Sequence, residues 1–441
     1  MSSNPIDIFI KNAFILTMNP GMEIFRPGAL AIQGDTIVAV GPEKELHALK
    51  ADAREILDAR GGAVLPGLIN THTHAAMVYF RGIADDLPLT DWLNNHIWPA
   101  ENTWLSPEFV SDAIELACLE MLKGGITTYN DMYFYEDAAG RTAKRMGMRA
   151  VLGAGILDFP SKSASTADQY FDNAESFIRD WKGDELITPC IAPHALYTCG
   201  PDTLKRSKAI AEKYDIPLHI HISETEWEVR DILARYKKRP VEYLESLNFL
   251  DKNVLAAHCI WVEDNEIELL AKRGVSVSHC MESNLKLASG FAPVASMIAE
   301  GVKVTFGTDG AASNNDLNIF SEMSTTAKVH KALSNNPTVL DAKTVLCMAT
   351  RWGAEALGLG DKTGTLEKDK RADIIMINLN KPHLLPLYDV YSHIVYAAMA
   401  SDVETVMVNG KLIVNNRTLI TADESEILYK ARKWCGRIRG K

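Results

Sequence analysis

His72 and His74 close an apolar run, Ala63-Val64-Leu65-Pro66-Gly67-Leu68-Ile69-Asn70-Thr71-His72-Thr73-His74. Side chains two residues apart on a β-strand point to the same side, so both imidazoles can reach one metal ion. Neutral imidazole is a common ligand for zinc and for other divalent transition metals. An HxH pair alone also fits a strand that carries two surface histidines. Further ligands arriving at the same place would separate the two cases.

The elements that must position such a pair lie in the middle of the chain, where strand and helix alternate. Candidate strands cover 68–74, 126–131, 149–156, 187–193, 217–222, 254–259, 275–279 and 302–308, each separated from the next by enough chain for a helix. Residues 107–123 form the clearest helix. Ser106 is placed to cap it, Pro107 takes the first helical position, and Gly124-Gly125 ends it. Eight strand–helix units predict a (β/α)8 TIM-like barrel, whose active site lies at the C-terminal ends of the strands. The chain ends read differently. Short alternating strands occupy 6–10, 29–32 and 36–40, and a hairpin around Asn409-Gly410 follows a strand at 372–377. These ends predict one small β-sandwich domain assembled from both terminal segments (1–65 plus 364–441) around a barrel domain (66–363).

Sorting the polar residues by strand end concentrates the chemistry. His72, His74, His194, His219, His221, His258 and His279, seven of the twelve histidines, fall at or near the predicted barrel mouth, with Glu224 and Asp309 beside them. Histidines scattered through a core would not gather this way, which favours a metal site. His47, His96, His330, His383 and His393 read as ordinary surface or helix histidines. Pro189-Cys190 lacks both the CxxC and the HxE of the zinc cytidine-deaminase signature, so that unrelated fold is excluded.

Composition narrows the partners. The 441 residues are 47% hydrophobic and 23% charged, with a formal net charge of −11, as in an ordinary globular protein. The one basic triplet, Lys237-Lys238-Arg239, reads as a solvated helix face, and an acidic whole argues against nucleic acid. The opening Met1-Ser2-Ser3-Asn4-Pro5-Ile6-Asp7 has no basic leader, and no stretch approaches the roughly 18 apolar residues of a membrane span. Seven cysteines without a CxxC pair read as reduced thiols. The expectation is a cytoplasmic enzyme acting on a small molecule, as a monomer or a homo-oligomer.

The run Pro66 to His74, the His221-x-x-Glu224 pair, His258 and Thr308-Asp309-Gly310 resemble the amidohydrolase superfamily, over nearly the whole chain. Arg81-Gly82-Ile83-Ala84-Asp85-Asp86-Leu87 to Trp92-Leu93, Trp98-Pro99-Ala100-Glu101, and Ser283-Asn284-Leu285-Lys286-Leu287 are similar to its 5′-methylthioadenosine/S-adenosylhomocysteine deaminases. Triazine and guanine hydrolases share much of the same pattern. Chemistry and resemblance together assign His72, His74, His221 and Asp309 to one divalent ion, zinc first with Fe2+ or Mn2+ as alternatives. His219 points the same way as His221 but lies deeper; the His-x-x-Glu spacing favours His221 as the ligand. No lysine stands near the end of the fourth strand, where binuclear relatives carry a bridging one, so a single metal is expected. Such an ion lowers the pKa of a bound water toward ~7 and supplies hydroxide. Asp309 would take the water's proton, Glu224 would carry one to a ring nitrogen, and His258 would orient the water or the leaving group.

For the substrate, the resemblance implies that Glu101 binds ribose hydroxyls and that His194 contacts substrate. Trp92 is a candidate purine contact and Trp98 reads as core of its segment. Some family members use arginines after the third strand, where this chain has only Lys162. The implied activity is deamination of an adenosine-type nucleoside to the inosine analogue and ammonia. The alternatives are another heterocycle, such as guanine or an s-triazine, and a silent barrel used for assembly, against which the intact ligand set argues.

Overall fold

The computed structural model describes residues 6–440, and the opening run Met1 to Pro5 lies outside them. Five strands, β1 (Ile6–Leu16), β2 (Ile24–Gln33), β3 (Thr36–Pro42), β4 (Ala53–Asp58) and β5 (Ala63–Pro66), precede the barrel. The barrel strands are β6 (Leu68–Thr73), β7 (Ile126–Tyr133), β8 (Arg149–Ile156), β9 (Ile187–Pro193), β10 (Leu218–Ile222), β11 (Val254–His258), β12 (Ser276–His279) and β13 (Lys303–Phe306). Four more follow: β14 (Ile374–Ile377), β15 (Val403–Val408), β16 (Lys411–Asn415) and β17 (Thr418–Leu419).

Strands β6 to β13 pair in sequence order, all parallel. Nearly every residue in them is buried, the pattern of strands covered on both faces. Between β13 and β6 the ring closes through Asp309 N to His72 O (3.0 Å) and Thr71 Oγ1 to Phe306 O (2.9 Å). Gly307 permits that approach, since a Cβ there would stand 2.6 Å from the Cβ of His72. The helix Pro107–Lys123 forms as its sequence signals predict: Ser106 Oγ accepts from Phe109 N (3.1 Å) and Gly124 follows its last residue.

The other nine strands form one mixed sheet in which β5 lies between β1 and β14, so both ends of the chain build it. The Asn409-Gly410 hairpin between β15 and β16 has both turn residues at positive φ (51° and 74°), as a two-residue hairpin of this type requires. The chain crosses from this sheet to the barrel at Gly67. Lys237-Lys238-Arg239 is not a helix face. Lys237 is the C-cap of helix Glu226–Tyr236, and Arg239 is anchored on Glu266 Oε2 (2.7 Å) and Trp261 O (2.6 Å). All seven cysteines are free, and only Cys435 is exposed. Among the described residues no helix is long and apolar enough to cross a membrane.

A buried ion pair ties the two units together. Arg149, at the start of β8, donates Nε to Asp373 Oδ2 (2.7 Å) and Nη2 to Asp373 Oδ1 (3.1 Å), and Asn409 N reaches the same Oδ1 (2.7 Å). Removing one partner leaves a buried charge uncompensated. Arg149→Met should therefore lower the stability measured by chemical denaturation by about 3–5 kcal/mol.

Candidate active site

The ends of β6, β10 and β11 and the loop after β13 bring five donors together at the barrel mouth. His72, His74 and Asp309 place ligand atoms within 4.8 Å of one another, as do His72, His221 and His258. Asp309 Oδ1 lies 3.4 Å from His72 Nε2 and 3.3 Å from His74 Nε2. Each ring is fixed from behind. His74 Nδ1 donates to Met132 O (2.7 Å) and His221 Nδ1 donates to His194 O (2.6 Å), while His72 Nδ1 lies 2.9 Å from His219 Nε2.

A carbonyl only accepts, so His74 and His221 carry their protons on Nδ1 and turn Nε2 lone pairs inward. Those two Nε2 atoms lie 3.3 Å apart, where facing lone pairs repel unless a cation sits between them. His72 Nε2 is buried and makes no hydrogen bond. Burial depresses the basicity of all three rings, that of His72 to about 4, so they are neutral ligands at neutral pH. Burial opposes charge on Asp309, which the hydroxyls that donate to its Oδ2 help to hold. Ser283 Oγ (2.6 Å) and Ser313 Oγ (2.7 Å) both donate to its Oδ2, leaving Oδ1 toward the histidines. Three neutral nitrogens and one carboxylate oxygen, each oriented by an outer partner, fit a divalent metal ion.

His74, His194, His221, Glu224, His258 and Asp309 line a cavity of about 430 Å3. Trp92, Glu101 and Lys162 line the same cavity. Trp98 does so too, with its ring 5.6 Å from that of Phe159, so it is cavity wall rather than the core of its segment. Glu101 is buried and accepts Tyr133 Oη at 2.6 Å. Burial pushes its carboxyl up to about 7, with the tyrosine pulling the other way. Burial also raises the Glu224 carboxyl, with His258 pulling the other way. His194 Nδ1 lies 3.0 Å from Thr198 Oγ1. His258 Nδ1 donates to Asn284 Oδ1 (2.9 Å).

His279 and His330 stand apart from the cluster. They pack against each other in the interior with Nε2 atoms 3.4 Å apart, so His330 is a buried helix histidine and not a surface one. Sequence reasoning gave no part to Tyr133, Ser313 or Glu228. Ser283 and Asn284, part of the run 283–287, hold Asp309 and His258. Glu228 had a signal: Thr225-Glu226-Trp227-Glu228 is the S/T-x-x-E pattern of a helix start.

This fold and donor set define a metal-dependent hydrolase barrel. The chain belongs to the amidohydrolase family, which it matches over residues 63–413. It is 52% identical over 431 residues to a 5-methylthioadenosine/S-adenosylhomocysteine deaminase of Thermodesulfovibrio yellowstonii, covering 98% of each chain. A 5′-deoxyadenosine deaminase of Methanosarcina acetivorans is 45% identical over 428 residues, 97% of each. Among solved structures, an adenosine deaminase from Xanthomonas campestris with bound zinc superposes with a TM-score of 0.96 at 41% identity, covering 99% of this chain and all of that one.

His221→Ala and Asp309→Ala should each fold, by circular dichroism, but retain less than one metal per chain after zinc loading and dialysis. Wild-type metal content in both variants, by elemental analysis, would rule these residues out as ligands.

Proposed function

We propose that this protein hydrolytically deaminates adenosine-type nucleosides, 5′-methylthioadenosine, S-adenosylhomocysteine or adenosine, to the inosine analogue and ammonia. The observation that carries this reading is the shared cavity. His74, His221, His258 and Asp309 line it together with the buried Glu101 carboxylate, a suitable acceptor for the two hydroxyls of a ribose. A free base would leave that carboxylate without a task. The apolar wall that includes Trp98 and Phe159 suits a thioether, and Lys162 is the cation available to a substrate carboxylate.

In this reading His72, His74, His221 and Asp309 hold one divalent ion, zinc by the chemistry of the donors. When bound, that ion makes water acidic enough to attack at neutral pH. Glu224 gives a proton to the purine N1, which makes C6 electrophilic. Burial raises the Glu224 carboxyl, which is the direction a proton donor needs. Asp309 takes a proton from the attacking water and passes it toward the departing amino group. His258, its Nδ1 fixed by Asn284, turns Nε2 to the same region. Water adds its oxygen to C6, the C6–N bond breaks with ammonia leaving, and the C6 hydroxyl returns its proton to Glu224 as the carbonyl forms. Trp92 and His194 contact the nucleoside. Residues 66–363 carry this chemistry, and the free buried thiols favour a cytoplasmic setting.

Two measurements test the assignment. Glu101 accepts both ribose hydroxyls only when ionised, so KM for adenosine-type compounds should rise as pH falls through about 7. Glu101→Gln should raise KM and flatten that dependence. The zinc-loaded enzyme should release ammonia from adenosine, 5′-methylthioadenosine or S-adenosylhomocysteine, and should release neither ammonia from guanine nor chloride from a chloro-s-triazine. If none of the three nucleosides turns over, the proposal fails, and turnover of guanine or the triazine instead would assign the site to a free heterocycle.

A further inference from the structure

Glu224 sits just past the end of β10, and a second glutamate sets the direction in which it leaves the strand. Ser223 turns the chain in the left-handed region (φ 52°), a conformation that L-residues other than glycine and asparagine seldom hold unaided. Glu228, on the helix Glu226–Tyr236, has no exposed surface and folds its carboxylate back onto this turn. Its Oε1 accepts Ser223 N (3.0 Å) and its Oε2 accepts Glu224 N (2.9 Å). Thr225 Oγ1 accepts Glu228 N (3.2 Å) and so caps the same helix.

In an ordinary capping box the third helical residue reaches back to the backbone N–H of the cap itself. Glu228 occupies that third position but takes the two amides before the cap. Bonds to those amides do little for the helix. They determine how Glu224 enters the cavity. The same turn is joined to its neighbour: Ser223 O accepts Ile260 N (3.0 Å) and Trp261 N (2.9 Å), and Ile222 O accepts Cys259 N (3.0 Å). Those amides lie just past His258, which itself has φ 70°. One buried carboxylate thus holds the Glu224 turn, and that turn holds the one beyond His258.

We infer that Glu228 is a positioning residue for deamination, holding the Glu224 carboxyl where it can protonate the purine ring. This rests on the deaminase reading above. Both oxygens of Glu228 accept: burial pushes its carboxyl up to about 8, and the two amide bonds pull the other way, toward the carboxylate. An amide would set an NH2 group against one of the two N–H donors, losing one bond and opening the turn.

The test is Glu228→Gln in the zinc-loaded enzyme with 5′-methylthioadenosine. Expected are a kcat about 100-fold lower, the size of effect that misplacing a reacting group by an ångström produces, an unchanged KM and one metal per chain. Amide exchange across residues 223 and 224, read by mass spectrometry, should quicken. In a Glu224→Gln background the same substitution should cause no further loss of kcat, because Glu228 would act only through Glu224. An unchanged kcat, a loss matched by loss of metal, or a full additional loss in the double variant would each overturn the inference. Should Glu228→Gln fail to fold, Glu228→Asp, which keeps the charge on a shorter arm, is read by the same measurements. A wild type that converts no nucleoside defeats the deaminase reading and this inference with it; an active wild type with an indifferent Glu228→Gln defeats the inference alone.

Discussion

The candidate site depends on two hydrogen bonds that cross between strands: His74 Nδ1 to Met132 O on β7 and His221 Nδ1 to His194 O just beyond β9. Each uses a backbone carbonyl of a neighbouring strand to fix a tautomer and a ring direction. The inward lone pairs are therefore set by barrel register, since a slip of one residue would replace the carbonyl with an N–H and turn the imidazole away. Eight parallel strands buried on both faces supply the rigidity that this needs. The nearly closed seam at Gly307 keeps Asp309 against His72 and His74.

Buried carboxylates recur as clamps on the turns around this mouth. Asp131 Oδ1 takes Ala75 N (2.9 Å) and Met132 N (3.1 Å), fixing the chain on both sides of the His74 contact. Glu136 Oε1 takes Tyr133 N (3.0 Å), just where the tyrosine turns toward Glu101. Glu322 Oε2 takes Met281 N (2.8 Å), at the start of the short helix that carries Ser283 and Asn284. Strand ends and turns at a barrel mouth leave N–H groups for such side chains to satisfy, and a carboxylate can accept two at once. Burial pushes these carboxyls up, that of Asp131 to about 7 and those of Glu136 and Glu322 well above the usual range.

Most of the barrel was legible because parallel buried strands read as short apolar runs between turns. The differences fall where the ladder stops before the extended chain does. Residues 302–308 were expected as strand, but pairing ends at Phe306, where Gly307 turns in against His72. In the other direction, β7 was expected to end at 131 and runs to Tyr133, so the phenol that meets Glu101 had no sequence signal. Least legible was the stretch after β6. Its short helical pieces, Ala75–Phe80, Leu89–Asp91, Trp92–Ile97 and Trp98–Trp104, lack a helical hydrophobic stripe because their apolar residues face a cavity as well as a core. Trp98 illustrates this, since a tryptophan on a cavity wall and one in a core look alike in sequence.

The mixed sheet has a consequence for how the chain is made. On the ribosome β1 to β5 emerge early, but the partner of β5 on its far side, β14, comes only after the whole barrel sequence has been translated. At about 5–20 residues per second that interval is on the order of tens of seconds. Throughout it the apolar strand Ala63-Val64-Leu65 presents an open edge of the kind that invites pairing with another chain. The nascent chain therefore carries an unsealed seam while the barrel is being translated, and β14, which follows the barrel, seals it.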